Sequence, residues 1–206
     1  MYMDLENNSR LNNDKFDAYF ILTSKSNIKE KAVKIWAKEF IKKNIFVKKI
    51  EINNKLLPEQ PINSGIEKIC ANRISFVEEL YPNLILENNY IISIENGIEI
   101  KDNKLIDKVC VKLKNLTTKN IITYTGSPIS IEDNIKYPKI QKIINQFLSD
   151  YKLTSKNYKY DGCSSTFGNL VNKYYPEIPS NNWMKTINKK DRIDQIIEVL
   201  SNIVLI

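Results

Sequence analysis

The sequence predicts an α/β protein built on a mixed sheet. Short apolar runs of buried-strand type alternate with helical stretches early in the chain, strands cluster in its middle, and an amphipathic helix closes it. At 206 residues, 42% of them hydrophobic and 27% charged, the chain suits one domain, long enough to remove roughly 70% of its unfolded surface from water.

Residues 1–15 are polar and Asn-rich, which predicts a disordered tail, with a single domain over residues 16–206. Ala18 to Leu22 reads as a buried strand, followed by the loop Thr-Ser-Lys-Ser-Asn and a helix from Ile28 to about Lys43. Ile45 to Ile52 forms a second strand. A Pro-punctuated loop then ends in Ser64, a good N-cap for a helix over Gly65 to Tyr81. Tyr90 to Ile94 is nearly all apolar, as a strand covered on both faces should be, and turn formers follow it at Glu95-Asn96-Gly97. Strands are expected over Leu105 to Leu113 and Ile121 to Ile129, then a helix over Tyr137 to Tyr151. Lys152 to Ser165 reads as irregular, Thr166 to Tyr174 as a short helix, and Asp191 to Ile206 as the closing one.

Composition excludes several chemistries. With no histidine, there is no imidazole base and no His-ligated metal. Cys70, Cys110 and Cys163 are widely spaced and read as reduced structural thiols. No apolar run approaches the ~18 residues of a bilayer span, and the N-terminus carries no apolar leader. A cytoplasmic protein without membrane contact is expected. The net charge of +7 raises nucleic acid as a partner, but the lysines are scattered and no aromatic RNA-binding strand accompanies them. Nucleic acid is therefore not the expected main partner, and a basic RNA-binding accessory is the third reading.

Polar residues interrupt three apolar patterns. Arg73 falls in the middle of the apolar stripe formed by Ile66, Ile69, Cys70, Ile74 and Val77, where it needs an anion: a buried carboxylate or a ligand phosphate. Asp107 shares a strand face with Leu105, Val109 and Val111, as the partner of Arg73 or as a metal ligand. Glu95 ends an apolar strand, and open α/β sheets bind ligands outside the carboxyl ends of their strands. The segment Thr23-Ser24-Lys25-Ser26-Asn27 opens a helix with Lys29 in its first turn, a layout that can hold phosphate oxygens although it lacks the P-loop glycines.

These residues carry a family resemblance. Thr23 to Val33, with Lys29 and Ala32-Val33, resembles the opening Ser-x-Asn-Pro-x-Lys-x-x-Ala-Val segment of the inosine/xanthosine triphosphatases, the non-canonical purine nucleoside triphosphate phosphatases. Gln60-Pro61, Ala71-Asn72-Arg73 and Ile94-Glu95-Asn96-Gly97-Ile98 are similar to its Gln-Pro loop, its Asn-Arg helix and its Ile-Glu strand end. Thr166-Phe167-Gly168, Asn182-Trp183 and Asp191-Arg192 look closer to the related domain of proline-rich coiled-coil proteins.

The resemblance implies an α/β/α fold with a central mixed sheet and a ligand cleft, dependence on Mg2+ or Mn2+, a homodimer, and hydrolysis of ITP or XTP in clearing the nucleotide pool. It carries over Lys29 as the phosphate-binding lysine, Arg73 as the helix arginine facing the cleft and Glu95 as an acidic metal or water ligand; with these, the expected catalytic group is Glu95, Asp107 and Lys29, and the expected nucleotide contacts are Thr23, Ser24, Ser26, Asn27, Lys29, Arg73, Asn96 and Arg192. The metal is expected on Glu95 and on Glu67, which stands only near the place of the family's second acid. Ser26 stands where the family has Asn, Ile69-Cys70 where it has Gly-Ala, and the usual acid before that helix step is missing. These departures suit an alternative, a catalytically inactive nucleotide-binding or protein-interaction module of the same fold.

Overall fold

The computed structural model describes residues 15–52, 55–86, 88–102, 104–131 and 137–205. Residues 1–14 of the expected tail and Ile206 of the expected last helix lie outside them. The elements are β1 (Ala18–Leu22), α1 (Asn27–Glu39), β2 (Ile45–Lys49), β3 (Gln60–Pro61), α2 (Ser64–Leu80), α3 (Pro82–Leu86), β4 (Tyr90–Lys101), β5 (Lys104–Asn115), β6 (Ile121–Thr125), β7 (Ile129–Ile131), α4 (Ile140–Thr154), β8 (Gly162–Cys163), α5 (Phe167–Tyr174), α6 (Trp183–Ile187) and α7 (Arg192–Leu200). The main sheet runs β2-β1-β4-β5-β6, with β7 also on β5, and β3 pairs with β8 in a two-stranded ribbon. β1 is parallel to β2 and β4, whereas β4 and β5 form a long antiparallel hairpin, so the sheet is mixed, as expected.

Strand alternation sends the apolar side chains to two faces. Phe20, Leu22, Ile92, Ile94, Val109 and Val111 pack under α1 and α7. Ile21 and Ile91 pack on the other face, against Ile74 and Val77 of α2. Further along the hairpin, Ile98, Leu105 and Ile131 form a separate core with α4, α5 and α6, built around Phe147, Phe167 and Trp183. The α1/α7 pair and the α4–α6 group thus pack on successive parts of one β4–β5 ribbon, with α2 on its other face.

Several boundaries differ from the sequence reading. β4 does not stop at Ile94, because the ladder to β5 carries it on to Lys101, with Asn96 opposite Val109 and Gly97 opposite Lys108. A Cβ on Gly97 would lie 2.7 Å from the Pro61 carbonyl oxygen, so this glycine admits β3 against the strand and makes no turn. The strand expected over Ile121 to Ile129 is two, β6 and β7, both paired with β5 and separated by Gly126-Ser127-Pro128. Proline has no N–H for the ladder.

α1 ends at Glu39, four residues early, and Lys42 adopts a φ of 54° in the turn to β2. The cap of α2 is Asn63, at a φ of 47°, rather than Ser64; its Oδ1 accepts the Ile100 N–H at 2.8 Å and ties the helix to β4. α4 starts at Ile140, after Pro138, rather than at Tyr137. α6 and the β3–β8 ribbon are too short to show periodicity. α7 stops at Leu200, before the expected end. Among the described residues no helix is long and apolar enough to cross a membrane.

Candidate functional site

The cleft follows from unequal strand lengths. β1 has five residues and leaves β4 after the Leu22–Ile92 pair, while the next bridge on that edge is Ile62–Ile98, made by the residue after β3. Between these points no strand among the described residues pairs with the β4 edge. A buried carbonyl left without a ladder partner must be met by another donor, and side chains supply it: the Lys29 ammonium donates to the Ile94 carbonyl, and Gln60 Nε2 to the Asn96 carbonyl at 3.4 Å. The opening above this gap, between the α1/α7 and α5/α6 helix groups, is a cleft of about 340 Å³.

Glu95 lies at the centre, 5% exposed. Lys29 reaches it from α1, with Nζ 3.7 Å from Oε2, and Arg73 reaches it from α2, with Nε 2.5 Å from Oε1. Arg73 Nη1 also donates to the Thr23 carbonyl at 3.4 Å, at the end of β1. Two cations from opposite faces of the sheet therefore share one carboxylate. Burial pulls the Lys29 ammonium below the usual lysine value, Glu95 raises it in part, and Arg73 lowers it again. Ser26 caps α1 by accepting the Lys29 N–H at 3.4 Å, which fixes the first turn where Lys29 leaves it.

Asp107 is not the partner of Arg73. It is 2% exposed and held by Arg192, through Nη1 to Oδ1 at 2.6 Å and Nη2 to Oδ2 at 2.9 Å. Gln195 Nε2 adds a third bond at 2.7 Å, and Gln195 Oε1 accepts from Arg192 Nη1. The network fastens the first two turns of α7 to β5. Asp191 caps that helix, and the Arg192 N–H donates to Asn182 Oδ1, which links α7 to the α6 side of the cleft.

Of the expected contact residues, Ser26, Lys29, Asn96 and Arg192 line the cleft, together with Glu95 and Asp107. Thr23, Ser24, Asn27 and Arg73 do not. Thr23 is buried, Ser24 Oγ accepts the Ser26 N–H at 3.2 Å, Asn27 accepts from Lys49, and Arg73 stands behind Glu95. Glu67 also falls outside, bound to Lys112 at 2.9 Å on the α2 side of the sheet. Sequence reasoning missed the far wall of Gln60, Asn169, Asn181 and Trp183. The Gln-Pro and Asn-Trp pairs were visible in the sequence, but no local pattern says that they face Lys29.

Gly168 shapes that wall. A Cβ there would lie 2.0 Å from the Ser180 carbonyl oxygen and 2.7 Å from Trp183 Cδ1. Gly168→Ala should therefore cost about 1 to 3 kcal/mol by overpacking and displace Trp183. A lowered melting midpoint with altered Trp fluorescence is the expected observation, and an unchanged melt would contradict the close contact.

The side chains do not fit the expected divalent cation as they stand. Both oxygens of Glu95 face cations, Asp107 is doubly bound by Arg192, and Glu67 is elsewhere. Among the described residues no three Asp, Glu or Cys side chains gather as a metal site. The three cysteines are buried and free, with Cys70 Sγ donating to the Ser93 carbonyl behind the site.

No protein-family model and no curated protein matches the chain. Among solved structures it is similar to protein VC0702 from Vibrio cholerae, at 12% identity over 89% of this chain and 91% of that one, with a TM-score of 0.60. The two share a fold. Lipoprotein GNA1162 from Neisseria meningitidis matches at 11% identity over 64% of this chain and 99% of that one, but its TM-score of 0.26 is too low to carry any argument.

Proposed function

We propose that the cleft binds a purine nucleoside triphosphate, the ITP or XTP of the sequence resemblance, and that the chain hydrolyses it. The observation that carries this reading is the buried Lys29–Glu95 contact on the unpaired edge of β4, at the capped start of α1. Phosphate oxygens meet the Lys29 ammonium and the first turn of α1, where the helix dipole favours an anion. The base lies toward Trp183, Asn169 and Asn181, which offer an apolar ring face and amides.

Glu95 is the acidic group next to Lys29, and its role is to accept a hydrogen bond from the attacking water. The water oxygen bonds to phosphorus and the bridging P–O bond breaks. The bridging oxygen keeps the electron pair and leaves with the rest of the nucleotide, and the water's proton passes to Glu95. Lys29 stabilises the charge that develops on the phosphoryl oxygens. Arg73 holds Glu95 in place, and the Asp107–Arg192–Gln195 network positions α7. Asp107 and Arg192 thus support the site and are not assigned to the chemistry. The cytoplasm and a homodimer are the proposed setting.

Lys29→Ala should weaken ITP binding about tenfold or more and leave inosine binding nearly unchanged, because the lysine contacts phosphate alone. Calorimetry with both ligands decides this, and equal losses would remove Lys29 from the phosphate site. A non-catalytic binding module is favoured by one observation: Glu95 faces a cation on each oxygen, and among the described residues no three Asp, Glu or Cys side chains gather as a metal site. Phosphate release from ITP separates the two readings.

A further inference from the structure

We infer that this site binds phosphate without a divalent cation, and that Glu95 is a built-in anion that a phosphate group must displace from Lys29. The inference rests on the cleft being a phosphate site and adds to it what holds the charge.

The charges around Glu95 carry the inference. A magnesium site needs carboxylate or carbonyl oxygens free to face the ion, normally with several waters retained. Here the single central carboxylate lies between an ammonium and a guanidinium, so Lys29, Arg73 and Glu95 together carry one net positive charge. The other carboxylate buried in the cleft, Asp107, spends both oxygens on Arg192 and one of them also on Gln195. Glu59 lines the mouth but is exposed to water. A cation entering beside Glu95 would meet two fixed positive charges, whereas an anion entering would meet a surplus of one. Phosphate and carboxylate also satisfy the same donors. Lys29, at 3.7 Å and aimed chiefly at the Ile94 carbonyl, is held by Glu95 less closely than Arg73 is, at 2.5 Å. The ligand therefore takes Lys29, while Arg73 keeps Glu95.

The test uses inorganic tripolyphosphate as the probe, with calorimetric titration of the full chain in EDTA and again with magnesium. Wild type should bind in EDTA at least as tightly as with magnesium, and Glu95→Gln should bind about tenfold tighter, since it removes the competing charge and leaves both cations. Binding by wild type only when magnesium is present would overturn the inference and leave the phosphate site standing. Weaker binding by a folded Glu95→Gln protein would also overturn it, since Glu95 would then assist the ligand. If neither protein binds tripolyphosphate under either condition, the reading of the cleft fails, and the inference with it. Should Glu95→Gln melt before titration, the wild-type comparison with and without magnesium decides by itself.

Discussion

Glu95→Gln should leave the chain folded and lower hydrolysis of ITP by roughly 10²- to 10⁴-fold, the usual contribution of a positioned proton acceptor. The amide keeps the size of the side chain and one oxygen for Arg73, so the fold loses little. It cannot take the proton of the attacking water. Turnover and binding should therefore move in opposite directions, with phosphate held more tightly and released as product far more slowly. Single-turnover phosphate release measured at saturating ITP provides the check, and equal rates for both proteins would remove Glu95 from the chemistry. If wild type binds ITP and releases no phosphate, the binding-module reading takes the place of the enzyme.

The second large effect concerns stability. Arg192→Met should cost about 3 to 5 kcal/mol, because it leaves the Asp107 carboxylate buried at 2% exposure with only Gln195 to meet it. For a domain of this length that corresponds to a fall of roughly 10 °C in the melting midpoint. The double change Asp107→Leu with Arg192→Met should recover much of the loss, since no charge is then stranded in the core. Chemical denaturation of the two single variants and the double variant gives the coupling directly. A strictly additive double variant would mean that the two side chains do not act as a unit. A loss under 1 kcal/mol for Arg192→Met would mean that water reaches Asp107.

Both effects depend on where charge is buried, which the sequence announced only in part. Arg73 in an apolar stripe and Asp107 on an apolar strand face were recognisable as polar groups in need of partners, because the periodicity of each element identifies its buried face. The partners were not recognisable. Arg73 and Asp107 looked suited to each other, yet Arg73 meets Glu95 and Asp107 meets Arg192. Asp107 faces α7, whereas Arg73 approaches from α2 on the opposite side of the sheet. That division comes from strand register, and a shift by one residue would have reversed it.

By itself the sequence determined the α/β class, the apolar strands β1, β4 and β5, the amphipathic helices, the polar loop that opens a helix with Lys29 in its first turn, and the absence of histidine chemistry. These depend on local periodicity, propensity and composition, which act within a few residues. Only the tertiary structure decided that β4 runs through Glu95 to Lys101, since a twelve-residue ladder with β5 outweighs the turn preference of Asn96-Gly97. The same holds for the cleft, which exists because β1 pairs with β4 as far as Leu22–Ile92 and the next bridge on that edge is Ile62–Ile98. It holds for Glu67 as well, drawn to Lys112 and away from the expected metal site. Such outcomes depend on which strands become neighbours and in what register, and residues far apart in the chain set them through long-range pairing.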